Sequence, residues 1–176
     1  NLLNKFLPAG FYYKTFMWPK SFWYKIYEPF IRKAAGLGIA STEKDKERYE
    51  HKFEYCDLLV TGSGPAGLAS AYAAAKGGAK VILAEDKHRF GGSLLMDDVS
   101  IDNLSGKDWS DKIISELKEM PNVTVKNRSQ VFGYYDHNML VMFERTGDHL
   151  EKKSEFTPRQ RLWYIRCKEV ILSTGS

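Results

Sequence analysis

The sequence has 176 residues, of which 43% are hydrophobic and 27% are charged, a composition typical of a soluble globular domain with a sizeable core. No apolar run reaches the 18 residues that a membrane span requires, and no secretory signal pattern is present. The net charge of +4 is uneven, because residues 1–40 carry an excess of basic side chains while the remainder is close to neutral, which argues against a nucleic-acid-binding domain.

The first 40 residues are rich in aromatic side chains, with prolines that break any long helix. We expect one or two short helices over residues 20–35 and an aromatic surface that packs on a neighbouring domain or subunit. Membrane-surface binding and nucleic-acid stacking are weaker alternatives, because the prolines spoil a continuous amphipathic face. Residues 41–55 are strongly charged and are interpreted as a solvated helical turn or linker. The predicted domains are therefore 1–55, an extension with a linker, and 56–176.

From residue 57 the pattern becomes that of alternating strands and helices. The chain shows an apolar run over residues 57–61, an alanine-rich helix over 65–76, and a second apolar run over 80–84. A capped amphipathic helix follows over 105–120, and Val123–Val125 begins a third strand. This order predicts parallel strands joined by right-handed crossovers.

Short β-like stretches between Val131 and Ile165 predict an antiparallel meander, and residues 170–172 predict a last buried strand. The fold class is therefore α/β, a Rossmann-type three-layer parallel sheet with a meander insertion. Cys56 and Cys167 have no metal-ligand spacing, and we expect both to be buried structural residues in a reduced, cytoplasmic protein. The chain begins at Asn1 and stops at Ser176 after an apolar run, and we expect it to be an internal piece of a longer, C-terminally truncated domain.

The segment from Gly62 to Gly67 has the pattern G-x-G-x-x-G between the first strand and the first helix. Gly62 permits a tight turn, Gly64 lets a pyrophosphate approach the backbone, and Gly67 lets the helix pack closely on the sheet. The helix start offers free N–H groups and the positive end of its dipole to the phosphates. The turn therefore predicts an adenine dinucleotide site.

Glu85 ends the second strand, at the position where an acidic group accepts hydrogen bonds from the adenosine ribose. Asp86 adds a second carboxylate, and two negative charges should repel a 2′-phosphate, which favours NAD or FAD over NADP. Lys87 and Arg89 follow closely and could soften that preference.

Two further segments narrow the family. Arg89–Leu94 contains a double glycine, and Val170–Gly175 is a strand ending in Ser-Thr-Gly. Both resemble segments of two-dinucleotide-binding flavoprotein domains, in the same order along the chain.

Longer strings resemble the alpha subunits of heterotetrameric sarcosine oxidases. They are Pro8–Pro19, Tyr27–Pro29, Arg32–Gly38, Phe132–Asn138 and Pro158–Trp163. This resemblance implies that the full enzyme oxidatively demethylates sarcosine with oxygen and passes the one-carbon unit to tetrahydrofolate. It further implies NAD in this chain, FAD and FMN in or at the beta subunit, gamma- and delta-like partners, and a folate-binding domain in the C-terminal part of alpha.

The resemblance and the motif together give the predicted cofactor-binding residues. They are Gly62, Ser63, Gly64, Pro65, Ala66, Gly67, Glu85, Asp86, Lys87, Gly92, Ser93, Val131, Thr174 and Gly175. Val131 is included because backbone groups at the entrance to the meander commonly face the adenine, and Ser93 stands where a basic residue or threonine is frequent.

We assign no catalytic residue and no metal site, because the four histidines are scattered. Two alternatives stay open. One is a stand-alone FAD-dependent reductase of the pyridine nucleotide-disulfide type, which would show a Cys-x-x-Cys that this sequence lacks. The other is a non-catalytic dinucleotide-binding or scaffolding subunit.

Overall fold

The computed structural model describes residues 19–38, 41–152, 154 and 156–175, and the chain divides into two compact units, Asn1–Asp45 and Lys46–Ser176. In the first unit, the described residues form a helical segment made of Lys20–Phe22, a π-helical turn Trp23–Tyr27, and α1 (Glu28–Ala34). The expected short helices are thus confirmed. The aromatic residues before position 19 lie outside the described residues, so the docking role of this segment stays a prediction.

Within the described residues, six strands of the second unit form one sheet in the order β5–β2–β1–β8–β7–β6. Their bounds are β1 Tyr49–Thr61, β2 Val81–Ala84, β5 Val123–Lys126, β6 Ser129–Tyr135, β7 Met139–Arg145 and β8 Gln160–Leu172. A small antiparallel pair, β3 (Ser100–Ile101) and β4 (Leu104–Ser105), lies apart from this sheet. The two long helices are α2 (Pro65–Lys76) and α3 (Gly106–Glu119).

The strands β5, β2, β1 and β8 run parallel, and β8, β7 and β6 pair antiparallel. The predicted alternation of strands and helices and the predicted meander are therefore confirmed. The predicted cap of α3 is confirmed as well, because the Ser105 hydroxyl accepts a hydrogen bond from the Asp108 N–H at 3.1 Å.

Two hydrophobic clusters separate three layers. Val60 and Leu83 face α2 and α3 on one side of the sheet. Leu59 and Ile82 face the opposite side, where they join Met142 and side chains of β8. Helices therefore cover one face of the parallel strands, and side chains of β7 and β8 pack against the other.

The structure corrects two expectations. Residues 49–55 are the first half of β1 and not a linker, because each of them pairs with a residue of β8, and Glu50 forms a cross-strand ion pair with Arg161. Residues 160–172 form one strand and not two, because the register with β1 is the same on both sides of Lys168, which forms an ion pair with Asp57 at 2.8 Å. The end of β8 is also less buried than expected, with Leu172 62% exposed.

Candidate functional site

The carboxyl ends of β1, β2 and β8 meet the start of α2 at a cleft of about 780 Å³. Every residue predicted to bind the cofactor lines this cleft except Gly67. Positions that are far apart in the sequence, such as Ser63, Lys87 and Thr174, are thus brought to one place. The carboxyl edge of parallel strands is where α/β folds bind their ligands.

Two glycines of the turn are required by contacts within the chain. Gly62 has a φ of +97°, and a Cβ there would collide with the backbone carbonyl of Ser173. A Cβ on Gly67 would collide with the carbonyl oxygen of Gly62 and would lie 2.6 Å from the Ser173 hydroxyl. Gly67 therefore does what the sequence predicts, close packing of helix on sheet, and this is why it does not line the cleft.

Gly64 differs from both. Its φ of −67° suits any residue, and a Cβ built on it meets no atom within 4 Å. The absence of a side chain is therefore not needed for the packing or the backbone conformation of Gly64 itself. It leaves open space beside the first turn of α2.

The start of α2 is free of internal capping. No side chain caps the helix, and Pro65 occupies its first turn. The N–H groups of Ala66 and Gly67 have no acceptor within the helix, because the first intrahelical bond is donated by Leu68 to the Gly64 carbonyl at 2.9 Å. These donors and the positive end of the helix dipole suit an anionic group.

Glu85 fastens the glycine turn to the end of β2. Its Oε2 accepts from the Ser63 N–H at 2.9 Å and from the Ser63 hydroxyl at 2.5 Å. Its Oε1 accepts from the Lys87 N–H at 2.9 Å. Since each carboxylate oxygen can accept two bonds, Oε1 retains capacity for one more donor, such as a sugar hydroxyl.

Asp86 does not present a free negative charge to the cleft. Its Oδ1 accepts from Arg145 Nη2 at 2.7 Å, and its Oδ2 lies 3.4 Å from Lys87 Nζ. The expected repulsion of a 2′-phosphate by two negative charges stays a prediction, and the structure adds that cations from β7 and from the adjacent loop pair with Asp86. Sequence reasoning considered Lys87 but missed Arg145, 59 positions away.

Further residues line the cleft that sequence reasoning did not select. They are Thr61, Ala84, Met96, Ser129, Gln130 and Ser173. Ser173 belongs to the Ser-Thr-Gly segment, and its hydroxyl donates to the Gly62 carbonyl at 3.0 Å. The segment therefore already indicated that Ser173 lies at the site. Met96 is 88% exposed at the cleft, and no sequence pattern marked it.

Thr61 carries an unsatisfied polar atom. The residue is 9% exposed, and its Oγ1 is the buried side-chain oxygen or nitrogen without a hydrogen-bond partner among the described residues. Such groups are rare in folded proteins and concentrate where something else supplies the partner.

Two of the four histidines make contacts outside the cleft. His51 stacks on Tyr164 at 5.9 Å between ring centroids, and His137 offers its backbone carbonyl to Arg166. Among the described residues no three metal-ligating side chains cluster, and none of the described helices combines the length and apolar character that a membrane crossing requires.

Residues 57–143 match the family described as FAD dependent oxidoreductase. The chain is 48% identical over 175 residues to sarcosine oxidase subunit alpha of Rhizobium meliloti, covering 99% of this chain and 18% of that protein. It is 36% identical over 144 residues to sarcosine oxidase subunit alpha of a Corynebacterium species, covering 81% and 15%. The chain thus spans less than a fifth of the length of these relatives.

Among solved structures, L-proline dehydrogenase from P. horikoshii is similar in fold. It aligns with a TM-score of 0.54 at 20% identity, covering 76% of this chain and 25% of that chain. The likeness confirms the predicted Rossmann-type α/β fold class.

Proposed function

Because this chain is a homologue of the alpha subunit of sarcosine oxidase along 99% of its length, we propose that it holds NAD for an amine-oxidising flavoenzyme. The site for the dinucleotide is the cleft above the glycine turn. The diphosphate lies against Gly64 and the first turn of α2, and the adenosine ribose lies at Glu85.

The observation that supports this proposal best is the open space at Gly64. Side chains at Gly62 and Gly67 would collide with the protein itself, whereas one at Gly64 would meet nothing within 4 Å. A position that tolerates a Cβ but lacks one, beside uncapped N–H groups, fits a ligand that approaches the backbone closely. The unpartnered Thr61 hydroxyl in the wall of the same cleft also fits a site completed by a ligand or its bound water.

In this proposal the residues of the cleft bind and orient the dinucleotide, and none of them takes part in covalent chemistry. The amide of Ala66, at the start of α2, donates to the diphosphate, and the free capacity of Glu85 Oε1 accepts from one ribose hydroxyl. Val131 and Gln130, at the start of β6, border the end of the cleft where the adenine would lie. NAD supplies hydride-transfer chemistry when bound.

The finer activity of the whole enzyme follows the family resemblance. We propose oxidation of the CH–NH group of sarcosine by oxygen, with transfer of the one-carbon unit to tetrahydrofolate bound by another part of the alpha subunit. FAD and FMN then belong in or at a beta-type subunit, with gamma- and delta-type subunits completing a cytoplasmic hetero-oligomer. FAD is the rival occupant of this cleft, since the matching family is described as FAD dependent.

Gly64→Ala tests the dinucleotide site. The added methyl group occupies the space assigned to the diphosphate, so we expect the affinity for NAD, measured by isothermal titration calorimetry, to fall by at least about tenfold. The melting temperature should stay within about 1 °C of the parent, because no atom is crowded.

Gly77→Ala is the matched control, since this glycine lies at the other end of α2 with a φ of −73°. It should bind NAD like the parent. Undiminished NAD binding by Gly64→Ala would refute the placement of the diphosphate. Chromatography of the nucleotide released on denaturation identifies NAD or FAD directly.

The flavoenzyme assignment needs a separate experiment. A tagged copy of the protein in its native cell should copurify with subunits that show flavin absorption, and the preparation should consume oxygen when sarcosine is added. Recovery of NAD without any flavin-containing partner would favour the non-catalytic scaffolding alternative.

A further inference from the structure

The chain leaves β2 at Ala84 and runs along the end of the cleft that the proposed function assigns to the adenosine ribose. We call residues 85–87 the ribose loop, and all three line the cleft. The loop belongs to no helix or strand, so its shape depends on the hydrogen bonds that other parts of the chain make to its backbone.

The carbonyl groups of the ribose loop are held from two directions. Those of Glu85 and Lys87 accept hydrogen bonds of 2.8 and 3.0 Å from backbone N–H groups of the turn at residues 127–129. The carbonyl group between them, that of Asp86, accepts from a side chain, the guanidinium Nη2 of Arg145 on β7. Arg145 therefore supplies the bond that the turn does not.

Arg145 contacts Asp86 at two atoms. The same Nη2 that donates to the carbonyl also donates to the carboxylate Oδ1 at 2.7 Å. The guanidinium extends from a fixed backbone, because Arg145 pairs with Gln160 of β8 and its N–H donates to the Arg128 carbonyl at 3.0 Å. A planar fork of donors serves two acceptors with less loss of freedom than the ammonium of a lysine. The contact thus fixes both the backbone and the side chain of Asp86.

The Asp86 carbonyl belongs to the same peptide group as the Lys87 N–H. This group is planar, so its C=O and N–H bonds point in opposite directions. The Lys87 N–H donates to Glu85 Oε1 at 2.9 Å, and this is the carboxylate oxygen that retains capacity for one more donor. Arg145 therefore holds one end of a peptide group whose other end orients that oxygen.

We propose that Arg145 is a positioning residue for the adenosine ribose of NAD. It acts through the peptide group between Asp86 and Lys87, which holds Glu85 Oε1 in the orientation that accepts a hydrogen bond from one ribose hydroxyl. This inference rests on the proposed function, because the ribose position is taken from it.

Calorimetric titration of the purified protein with ADP and with its 2′-deoxy and 3′-deoxy analogues tests the proposal, since ADP carries the adenosine ribose and the diphosphate of NAD. The hydroxyl ratio is the affinity for ADP divided by the affinity for the weaker-binding analogue. We expect a ratio of about ten in the parent, as a hydrogen bond to a charged group allows. Arg145→Met should reduce the ratio to about two. Arg145→Lys, which keeps the charge, should give an intermediate value.

Arg159→Met is the matched control. Arg159 is paired with Asp148 at 2.6 Å, and its side chain is 42% exposed, against 38% for Arg145. This variant should keep the hydroxyl ratio of the parent. A merely structural or electrostatic role of Arg145 would weaken the binding of all three nucleotides by the same factor and would leave the ratio unchanged.

The outcomes separate this inference from the proposed function. An unchanged hydroxyl ratio in the Arg145 variants that fold, as judged by circular dichroism, overturns the inference and leaves the dinucleotide site standing. A ratio near one in the parent, or a failure of ADP to bind, overturns the ribose placement of the proposed function and the inference with it.

Discussion

In the parallel half of the sheet, formed by β5, β2 and the end of β1, buried apolar side chains and glycines bring the backbone of α2 against the strands. In the meander half, formed by β6, β7, β8 and the start of β1, charged side chains cross from strand to strand. Arg161 bonds to Glu50 at 2.8 Å, and Trp163 Nε1 donates to Glu144 at 2.6 Å. In the first half there is no room for an added atom at Gly62 or Gly67, whereas the side chains of the second half can adjust.

This difference bears on the cleft, which has walls from both halves. The glycine turn supplies a rigid floor, because its shape is set by backbone atoms in van der Waals contact. The meander supplies Val131, Gln130 and, next to the cleft, Arg145. We therefore expect substitutions in the parallel half to lower the free energy of unfolding by large amounts. Substitutions in the meander half should lower it by smaller amounts that depend on charge.

Gly67→Ala should have the largest effect. A methyl group cannot fit between the helix and the Gly62 carbonyl, so α2 must move away from β1. Overpacking of this kind, against backbone that cannot yield, should lower the free energy of unfolding by about 3 kcal/mol or more. Urea denaturation followed by circular dichroism measures it.

Ala69→Ser adds an atom to the same helix at an exposed position and should change the unfolding free energy by less than about 0.5 kcal/mol. If Gly67→Ala were as stable as the parent, the helix would be able to shift, and the floor of the cleft would not be rigid.

The two halves also differed in how well the sequence predicted them. The glycine turn, its predicted flanking strand and helix, and Glu85 all lie within the 29 residues 57–85 and follow one local rule. The start of β1 was misread because its charge density was interpreted as a linker, although Tyr49, His51 and Phe53 alternate with charged residues as in a strand. Its partner, β8, lies more than 100 positions away. Arg145 was missed for the same reason, since its partner Asp86 is 59 positions away.

Lys126→Met tests the charged contacts of the meander half. Lys126 Nζ lies 4.0 Å from the centroid of the Trp163 ring and 3.6 Å from Glu144 Oε1. Its removal should lower the free energy of unfolding by about 1–2 kcal/mol at pH 7, because Glu144 keeps Arg161 and Trp163 as partners. Lys52→Met, a change at an exposed lysine on β1, should stay within about 0.5 kcal/mol.

The pH dependence of the stability difference between the parent and Lys126→Met gives a second test of this lysine. Burial lowers the pKa of Lys126 below its ordinary value of 10.5, so between the two values the unfolded chain binds more protons than the folded one. The contribution of this group to stability therefore rises as the pH increases through that window. The difference between parent and Lys126→Met, measured by urea denaturation from pH 7 to 10.5, should show this rise. A difference that is flat or falls would mean that the lysine is solvated.

The last prediction concerns the reactivity of the two cysteines, which lie where the two halves join. It is the smallest of the expected effects. Cys56 on β1 and Cys167 on β8 are register partners, and both are buried. Burial raises the pKa of the Cys56 thiol to about 12 and also raises the pKa of Cys167. Because the thiolate is the reactive form, neither should react with Ellman's reagent at pH 8 in the native protein, and both should react in urea. Cys167→Ser, with one thiol left to follow, shows whether Cys56 alone is protected. Rapid labelling of the native protein would mean that β1 and β8 separate readily. The strand pair that joins the two halves would then belong to the adjustable part of the molecule and not to the rigid part.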